Sequence, residues 1–206
     1  MKIVVDENMP HACELFAEFG EVVPLPGRQI GAADLQDADV LLVRSVTRVD
    51  AGLLASCPRL GFVGTATIGT DHIDTALLAE RGIPFFSAPG CNKYSVGDYV
   101  LSALLVLAER HELSLDQMSL AVIGAGNTGE CVAGKAEALG MRVLRCDPPR
   151  ARTEGGAGFV DYQTALGADI VSFHVPLTRS GDDVTFHLLD AEQIAARPAG
   201  QFLINV

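Results

Sequence analysis

The stretch of sequence that decides the fold is Leu120-Ala121-Val122-Ile123-Gly124-Ala125-Gly126-Asn127-Thr128-Gly129. Its apolar first half predicts a strand, and its glycines, spaced as G-x-G-x-x-G, predict a sharp turn into a helix. In such a turn Gly124 lets the chain reverse, Gly126 lets backbone approach a pyrophosphate, and Gly129 lets the helix pack closely on the strand. The stretch therefore predicts a dinucleotide-binding site.

The residues around this turn support the prediction. A helix follows as far as Gly140, and it begins at Asn127 and Thr128, where free backbone N–H groups would meet a phosphate. The predicted strand 142–146 then leads to Asp147, eighteen residues past the last glycine of the motif. An acid at this place accepts hydrogen bonds from the ribose hydroxyls and repels a 2′-phosphate, so Asp147 favours NAD over NADP.

Two alternatives stay open for this acid and its surroundings. Asp147 precedes Pro148 and Pro149, and an aspartate before prolines is also a typical start of a turn. Two arginines nearby, Arg150 and Arg152, could hold a 2′-phosphate, so NADP stays open as the cofactor.

Composition indicates two domains and small-molecule partners. The chain has 206 residues, of which 49% are hydrophobic, enough for more than one core. Its formal net charge of −11, without a basic stripe, disfavours nucleic acid as a partner. The longest apolar helical stretch, residues 99–108, is too short to span a bilayer, so no membrane association is expected.

The five cysteines predict reduced thiols. Their number is odd, no C-x-x-C spacing occurs, and most lie in apolar or helical stretches. We expect neither disulfides nor a metal site. A predicted strand starts directly after Met1, so we also expect no signal peptide and a cytoplasmic protein.

Short apolar runs alternate with helical patterns, which predicts an α/β fold with parallel sheets covered by helices. The first unit, residues 1–93, has predicted strands near 3–5, 22–24, 40–43, 61–63 and 84–86, with helices between them. A long helix at 94–110 enters the second unit, 94–206, whose predicted strands begin near 120, 142, 169 and 201. Because a doubly wound dinucleotide domain normally has six strands, we expect the second domain to be incomplete.

Further motifs make the chain resemble a known family. The glycine turn followed by the run Asp169-Ile170-Val171-Ser172-Phe173-His174-Val175-Pro176-Leu177-Thr178 resembles the NAD-dependent D-2-hydroxyacid dehydrogenases. Other runs resemble one branch of that family, which acts on 4-phospho-D-erythronate; they lie at 6–10, 44–47, 64–72, 87–92 and 146–150. The resemblance implies two doubly wound parallel-sheet domains, a flavodoxin-like substrate domain and then an incomplete Rossmann domain.

The resemblance also implies an activity. Members of the branch oxidise the C2 hydroxyl of their phosphorylated hydroxy acid, on the route to pyridoxal phosphate, and transfer hydride to NAD. In them a histidine removes the hydroxyl proton, a glutamate orients that histidine, and an arginine holds the substrate. All three follow the last strand, so they are expected beyond Val206, and no residue of this chain inherits a catalytic role. Family members are dimers, so a homodimer is implied.

Binding residues can be carried over from the resemblance. Ser45 and Thr67 match substrate contacts of the family, with ordinary turn capping as the alternative. Arg44 would add a bidentate contact to an anion, or would form a salt bridge at the surface. Beside the glycine turn, the resemblance implies cofactor contacts at Val175 and Val206. The family more often has a hydroxyl residue at position 175, so Val175 leaves backbone and apolar contact only.

The remaining polar residues predict structural roles. We expect His72 to fix its loop through a hydrogen bond to backbone, and His174 to be structural at the end of a buried strand. Asp74 is expected to cap the helix 75–81 rather than to form a carboxylate pair with Asp71. Two other functions stay open, a dehydrogenase acting on another 2-hydroxy acid and a NAD-binding sensor or scaffold without turnover.

Overall fold

The computed structural model describes every residue from Met1 to Val206. The chain divides into two compact units, Met1–Cys91 and Asn92–Val206, two residues before the boundary expected from sequence. The second unit begins at Asn92 because this residue is the N-cap of the long helix at Lys93–His111.

The first unit contains β1 (Lys2–Asp6), α1 (Ala12–Phe16), β2 (Glu21–Leu25), β3 (Val40–Val43), β4 (Phe62–Thr65), α2 (Thr75–Glu80) and β5 (Phe85–Phe86). Its five strands are all parallel and lie in the order β2-β1-β3-β4-β5, which is the flavodoxin-like order. The chain reverses its winding direction between β1 and β3, so ligands of such a sheet bind at the carboxyl ends of these strands.

The helices expected on either side of β3 are only short 3-10 turns, at 32–35 and 53–56. Glycine and proline explain the difference, since Gly31 and Gly52 precede the two turns and Pro58 follows the second. Apolar residues of these turns nevertheless cover the sheet, and Leu35 and Leu54 are fully buried in the core.

The second unit contains α3 (Lys93–His111), β6 (Ser119–Ile123), α4 (Asn127–Ala138), β7 (Arg142–Cys146), α5 (Pro148–Glu154), α6 (Tyr162–Leu166), β8 (Ile170–Phe173), α7 (Ala191–Ala195) and β9 (Phe202–Asn205). Its four strands are parallel and lie in the order β7-β6-β8-β9. Every residue of β6 and β8 is buried, as expected for central strands covered on both faces.

A vestigial third strand lies beside β7. Arg145 and Phe159 form one isolated parallel bridge, and the N–H of Val160 donates to the carbonyl oxygen of Arg145 at 2.8 Å. When the segment at Phe159 is counted as a strand beside β7, the strand order is that of a Rossmann sheet. The third strand of that sheet is here a single bridge. Gly156 and Gly158 precede it with positive φ angles, which explains why a longer strand does not form. The expected α/β class with doubly wound parallel sheets is confirmed.

None of the helices combines the length and the apolar character needed to cross a membrane.

Candidate functional site

The glycine turn joins β6 to α4. At two of its positions the packing of the neighbouring backbone allows only glycine. Gly124 has a φ of +87°, and a Cβ atom there would lie 2.7 Å from the carbonyl oxygen of His174. A Cβ atom on Gly129 would lie 2.0 Å from the carbonyl oxygen of Gly124. No side chain could be accommodated at either position without moving backbone.

Gly126 differs from the other two glycines. It is the N-cap of α4, no side chain caps this helix, and a Cβ atom on Gly126 would meet nothing within 4 Å. Gly126 and Asn127 are exposed, and Thr128 is half-buried. The first N–H groups of a helix lack partners within it, so this turn leaves donors beside open space, which suits an anion.

Asp147 follows β7 and is held by two backbone bonds. Its Oδ2 accepts from the N–H of Ala125 at 2.9 Å, within the glycine turn, and its Oδ1 accepts from the N–H of Arg150 at 3.0 Å. The second bond makes Asp147 the N-cap of α5, as the turn-starting alternative anticipated. Each carboxylate oxygen has further acceptor capacity, so capping leaves room for hydroxyl donors of a ligand.

A cleft of about 670 Å³ lies along the carboxyl ends of β6, β7 and β8. Gly124, Gly126 and Asp147 lie on its surface together with apolar walls and a polar loop. The walls include Pro148, Pro149, Tyr162, Val175, Pro176 and Leu188, and the loop supplies Thr178, Asp183 and Thr185. Val175, a predicted cofactor contact, thus lines the same cleft as Asp147. Val206, 46% exposed after β9, is not among its lining residues.

A second cleft, of about 600 Å³, also includes Gly126. Asn127, Lys93, Tyr94, Glu130, Cys131 and Arg150 line it with Ala125. Sequence reasoning missed the contribution of Lys93 and Glu130, which belong to the first turns of α3 and α4. No motif spacing links the starts of α3 and α4 to Arg150 in α5, so only the fold brings these residues together.

Charged side chains form a network beside this second cleft. The Arg150 guanidinium bonds Glu130 at 2.8 Å and both carboxylate oxygens of Glu154 at 2.7 and 3.0 Å. Arg145 bonds Glu130 at 3.0 Å and Glu137 at 2.7 Å. Burial opposes ionisation of Glu130, but the bonds from Arg150 and Arg145 outweigh it and lower the pKa of Glu130. The bond from Arg150 lowers the pKa of Glu154 as well.

His174 lies under the glycine turn. Its Nε2 is 2.8 Å from the Ser172 hydroxyl, and its Nδ1 is buried without a hydrogen-bond partner. Burial lowers the pKa of His174 to about 4, so the imidazole is neutral at neutral pH. Its carbonyl oxygen, close to Gly124, limits that position to glycine.

In the first unit, Ser45 follows β3 and Thr67 follows β4, so both lie at the carboxyl edge of their sheet. Ser45 is exposed and Thr67 is half-buried. At the end of β3, Arg44 places its Nε 3.3 Å from Oδ2 of Asp6, a fully buried carboxylate at the end of β1. The salt bridge considered for Arg44 therefore forms with a buried partner, not a surface one.

Thr67 belongs to a chain of hydrogen bonds whose direction can be deduced. Its hydroxyl donates to the carbonyl oxygen of Gly69 at 3.0 Å, so the Thr65 hydroxyl, 2.8 Å away, must donate to Thr67. The Thr65 oxygen then accepts from His72 Nε2 at 2.9 Å, which therefore carries a proton. The predicted backbone bond of His72 is wrong, because its side chain holds the Thr65 hydroxyl instead.

The predicted capping role of Asp74 is confirmed. Oδ1 of Asp74 accepts from the N–H of Leu77 at 2.9 Å and caps α2.

Residues 3–164 match the family model described as D-isomer specific 2-hydroxyacid dehydrogenase, catalytic domain, and the chain belongs to this family. Curated relatives named erythronate-4-phosphate dehydrogenase include one from Aeromonas hydrophila subsp. hydrophila, 86% identical, and one from Tolumonas auensis, 61% identical. Both alignments cover all of this chain but 55% of the relative, so the chain spans about half the length of the curated relatives it matches.

Solved structures share the fold. A protein from Thermus thermophilus is 27% identical, with a TM-score of 0.84 over all of this chain and 73% of that one. A D-lactate dehydrogenase from Aquifex aeolicus, complexed with NAD and lactic acid, is 24% identical, with a TM-score of 0.80 over 98% of this chain and 68% of that one.

Proposed function

We propose that the chain supplies the NAD site and part of the substrate site of an NAD-dependent dehydrogenase. The proposed reaction is oxidation of 4-phospho-D-erythronate at C2 to 2-oxo-3-hydroxy-4-phosphobutanoate, a cytoplasmic step on the route to pyridoxal phosphate. The observation that carries the cofactor assignment is the Asp147 carboxylate, bonded to the glycine turn and lining the same cleft as Gly126.

The residues of this cleft and of the adjoining start of α4 fit NAD. The free N–H groups at Asn127 and Thr128 would receive the pyrophosphate, and Asp147 would accept hydrogen bonds from the adenosine ribose. Val175 and the two prolines after Asp147 line the same cleft and offer apolar contact to the adenine. When bound, NAD supplies the hydride acceptor of the reaction.

The substrate assignment rests on the carboxyl edge of the first sheet. Ser45 is exposed and can donate its hydroxyl to a carboxylate or phosphate. The Thr67 hydroxyl already donates to Gly69, so it would accept a hydrogen bond from a substrate hydroxyl rather than donate to an anion. Names of the curated relatives support a phosphorylated four-carbon hydroxy acid as the substrate.

We propose that the chemical groups for proton removal lie in the part of the longer relatives that extends past the position aligned with Val206. We therefore expect the 206 residues to bind NAD without catalysing turnover, and the longer protein to work as a homodimer. The experiment is to follow NAD reduction spectroscopically with 4-phospho-D-erythronate, using this chain and a protein of the relatives' full length. In a parallel assay a 2-oxo acid acceptor takes the hydride from tightly held NADH and is itself reduced to a 2-hydroxy acid, and turnover is then followed by the formation of 2-oxo-3-hydroxy-4-phosphobutanoate instead of NADH.

Turnover by the longer protein alone supports the proposal. Turnover with other 2-hydroxy acids but not with 4-phospho-D-erythronate would overturn the substrate and leave a dehydrogenase of the same family. NAD binding without turnover on any hydroxy acid would indicate a sensor or scaffold.

A further inference from the structure

The Arg150 guanidinium is almost fully occupied by the protein's own acceptors. Its Nε and one Nη2 proton bond the two oxygens of Glu154, and Nη1 bonds Glu130 and the carbonyl oxygen of Ala125. Of five N–H donors, four are therefore engaged. The Arg150 Cζ also lies 5.2 Å from the centroid of the Phe159 ring, which further limits its movement.

Arg152, the other arginine of α5, is engaged as well. Both of its terminal nitrogens bond the carboxylate of Asp183, a residue that lines the cleft beside Asp147. Each arginine that could hold a 2′-phosphate thus already holds a carboxylate.

Arg150 lies next to the proposed ribose site, so it matters that its guanidinium is already bonded to glutamates. Arg150 follows Asp147 by three residues, its N–H bonds the Asp147 carboxylate, and its guanidinium reaches the glycine turn at Ala125. A free arginine at this place would attract a 2′-phosphate on a ribose held by Asp147, because charged donors bind phosphate strongly. Two arginines, Arg145 and Arg150, face three glutamates in this network, so its summed formal charge is negative.

We propose that Glu154 and Glu130 determine cofactor choice by holding the Arg150 guanidinium away from a 2′-phosphate, so that the site takes NAD and rejects NADP. The inference rests on the proposed NAD site. Asp147 repels the extra phosphate directly, whereas the two glutamates remove the nearby cation that would compensate for this repulsion. Glu154 acts through Arg150, so its effect must disappear when Arg150 is absent.

The experiment measures dissociation constants of NAD and NADP by calorimetric titration of the 206-residue chain. Glu154→Gln removes one charge and keeps the side-chain shape, and Glu130→Gln/Glu154→Gln removes two. Glu109→Gln, an exposed glutamate of α3, is the matched control for net charge. Thermal unfolding of each variant checks that it is folded.

We expect NADP affinity relative to NAD to rise about fivefold in Glu154→Gln and more in the double variant, with no change in Glu109→Gln. Adding Arg150→Gln to Glu154→Gln should abolish the gain. An unchanged ratio in the folded glutamate variants, or a gain that persists without Arg150, would overturn the proposal. A folded wild-type chain that binds neither nucleotide would instead overturn the NAD site itself.

Discussion

Both carboxylate oxygens of Asp147 already hold a backbone N–H, one from the glycine turn and one from α5. The two sequence interpretations of this residue, as a turn start and as a ribose acceptor, are therefore compatible. The bonds orient the carboxylate, and its remaining lone pairs stay available to a ligand.

Asp147→Ala should weaken NAD binding by about tenfold to a hundredfold, because charge-assisted hydrogen bonds to the ribose are lost. It should also cost about 1 kcal/mol of stability through the lost cap. Asp161→Ala is the matched control, since Asp161 caps α6 by accepting from Thr164 but does not line the cleft. Calorimetry and urea unfolding measure the two effects. Equal NAD affinity in both variants would refute the ribose role of Asp147.

His174 should make stability depend on pH. Its folded-state pKa of about 4 lies below the ordinary value of 6.5, so the unfolded chain binds more protons between these values. The free energy of unfolding should therefore fall as pH is lowered from 6.5 toward 4, by an amount on the order of 3 kcal/mol from this residue.

Urea unfolding at several pH values tests this dependence. His174→Asn should flatten the slope between pH 6.5 and 4. His187→Asn is the matched control, because His187 is exposed and its positive φ of 54° is a conformation that asparagine tolerates. The same slope in His174→Asn as in the wild type would contradict the assignment.

At the scale of elements, α4 offers a comparison of two glycines within one helix. Gly129→Ala would place a Cβ atom 2.0 Å from the carbonyl oxygen of Gly124, so β6 and α4 must separate. We expect the free energy of unfolding to fall by about 3 kcal/mol or more in Gly129→Ala. Gly134→Ala meets no atom within 4 Å and should raise stability by up to about 1 kcal/mol. Thermal unfolding measures the stability of both variants. Similar effects of the two changes would contradict the close approach of Gly129 to the backbone of Gly124.

The loop after β4 depends on the hydrogen-bond chain from His72 through Thr65 to Thr67. We expect His72 to carry its proton on Nε2 when neutral, because only this tautomer can donate to Thr65. Burial lowers the pKa of His72, partly opposed by Asp71, so it should titrate below 6.5. Nitrogen NMR of labelled histidine reports both properties. A neutral ring protonated on Nδ1 would reverse the deduced direction of the chain.

Across the whole molecule, the elements predicted best are those with strong local patterns. The strands at Val40–Val43 and Arg142–Cys146 have the predicted bounds. The first is a continuous apolar run, and the second lies between Gly140 and Pro148, so turn residues limit it on both sides. The sequence does not predict the 3-10 turns around β3 or the single bridge at Phe159, since short apolar segments broken by glycine carry no clear period.

The site shows the same division. The glycine spacing and Asp147 can be recognised because backbone geometry dictates them. The bond between Arg150 and Glu130 and the bond between His72 and Thr65 cannot, because they depend on which side chains the fold brings within hydrogen-bond distance. Glu130 and Arg150 are separated by twenty residues, and no sequence pattern connects them.

Direct calorimetric titration of the folded 206-residue chain tests whether the second unit binds NAD at the glycine turn. We expect one NAD bound per chain, weaker binding of NADP, and strongly reduced NAD binding in Asp147→Ala. Absence of NAD binding by a chain that unfolds cooperatively, or full NAD affinity in Asp147→Ala, would contradict this expectation.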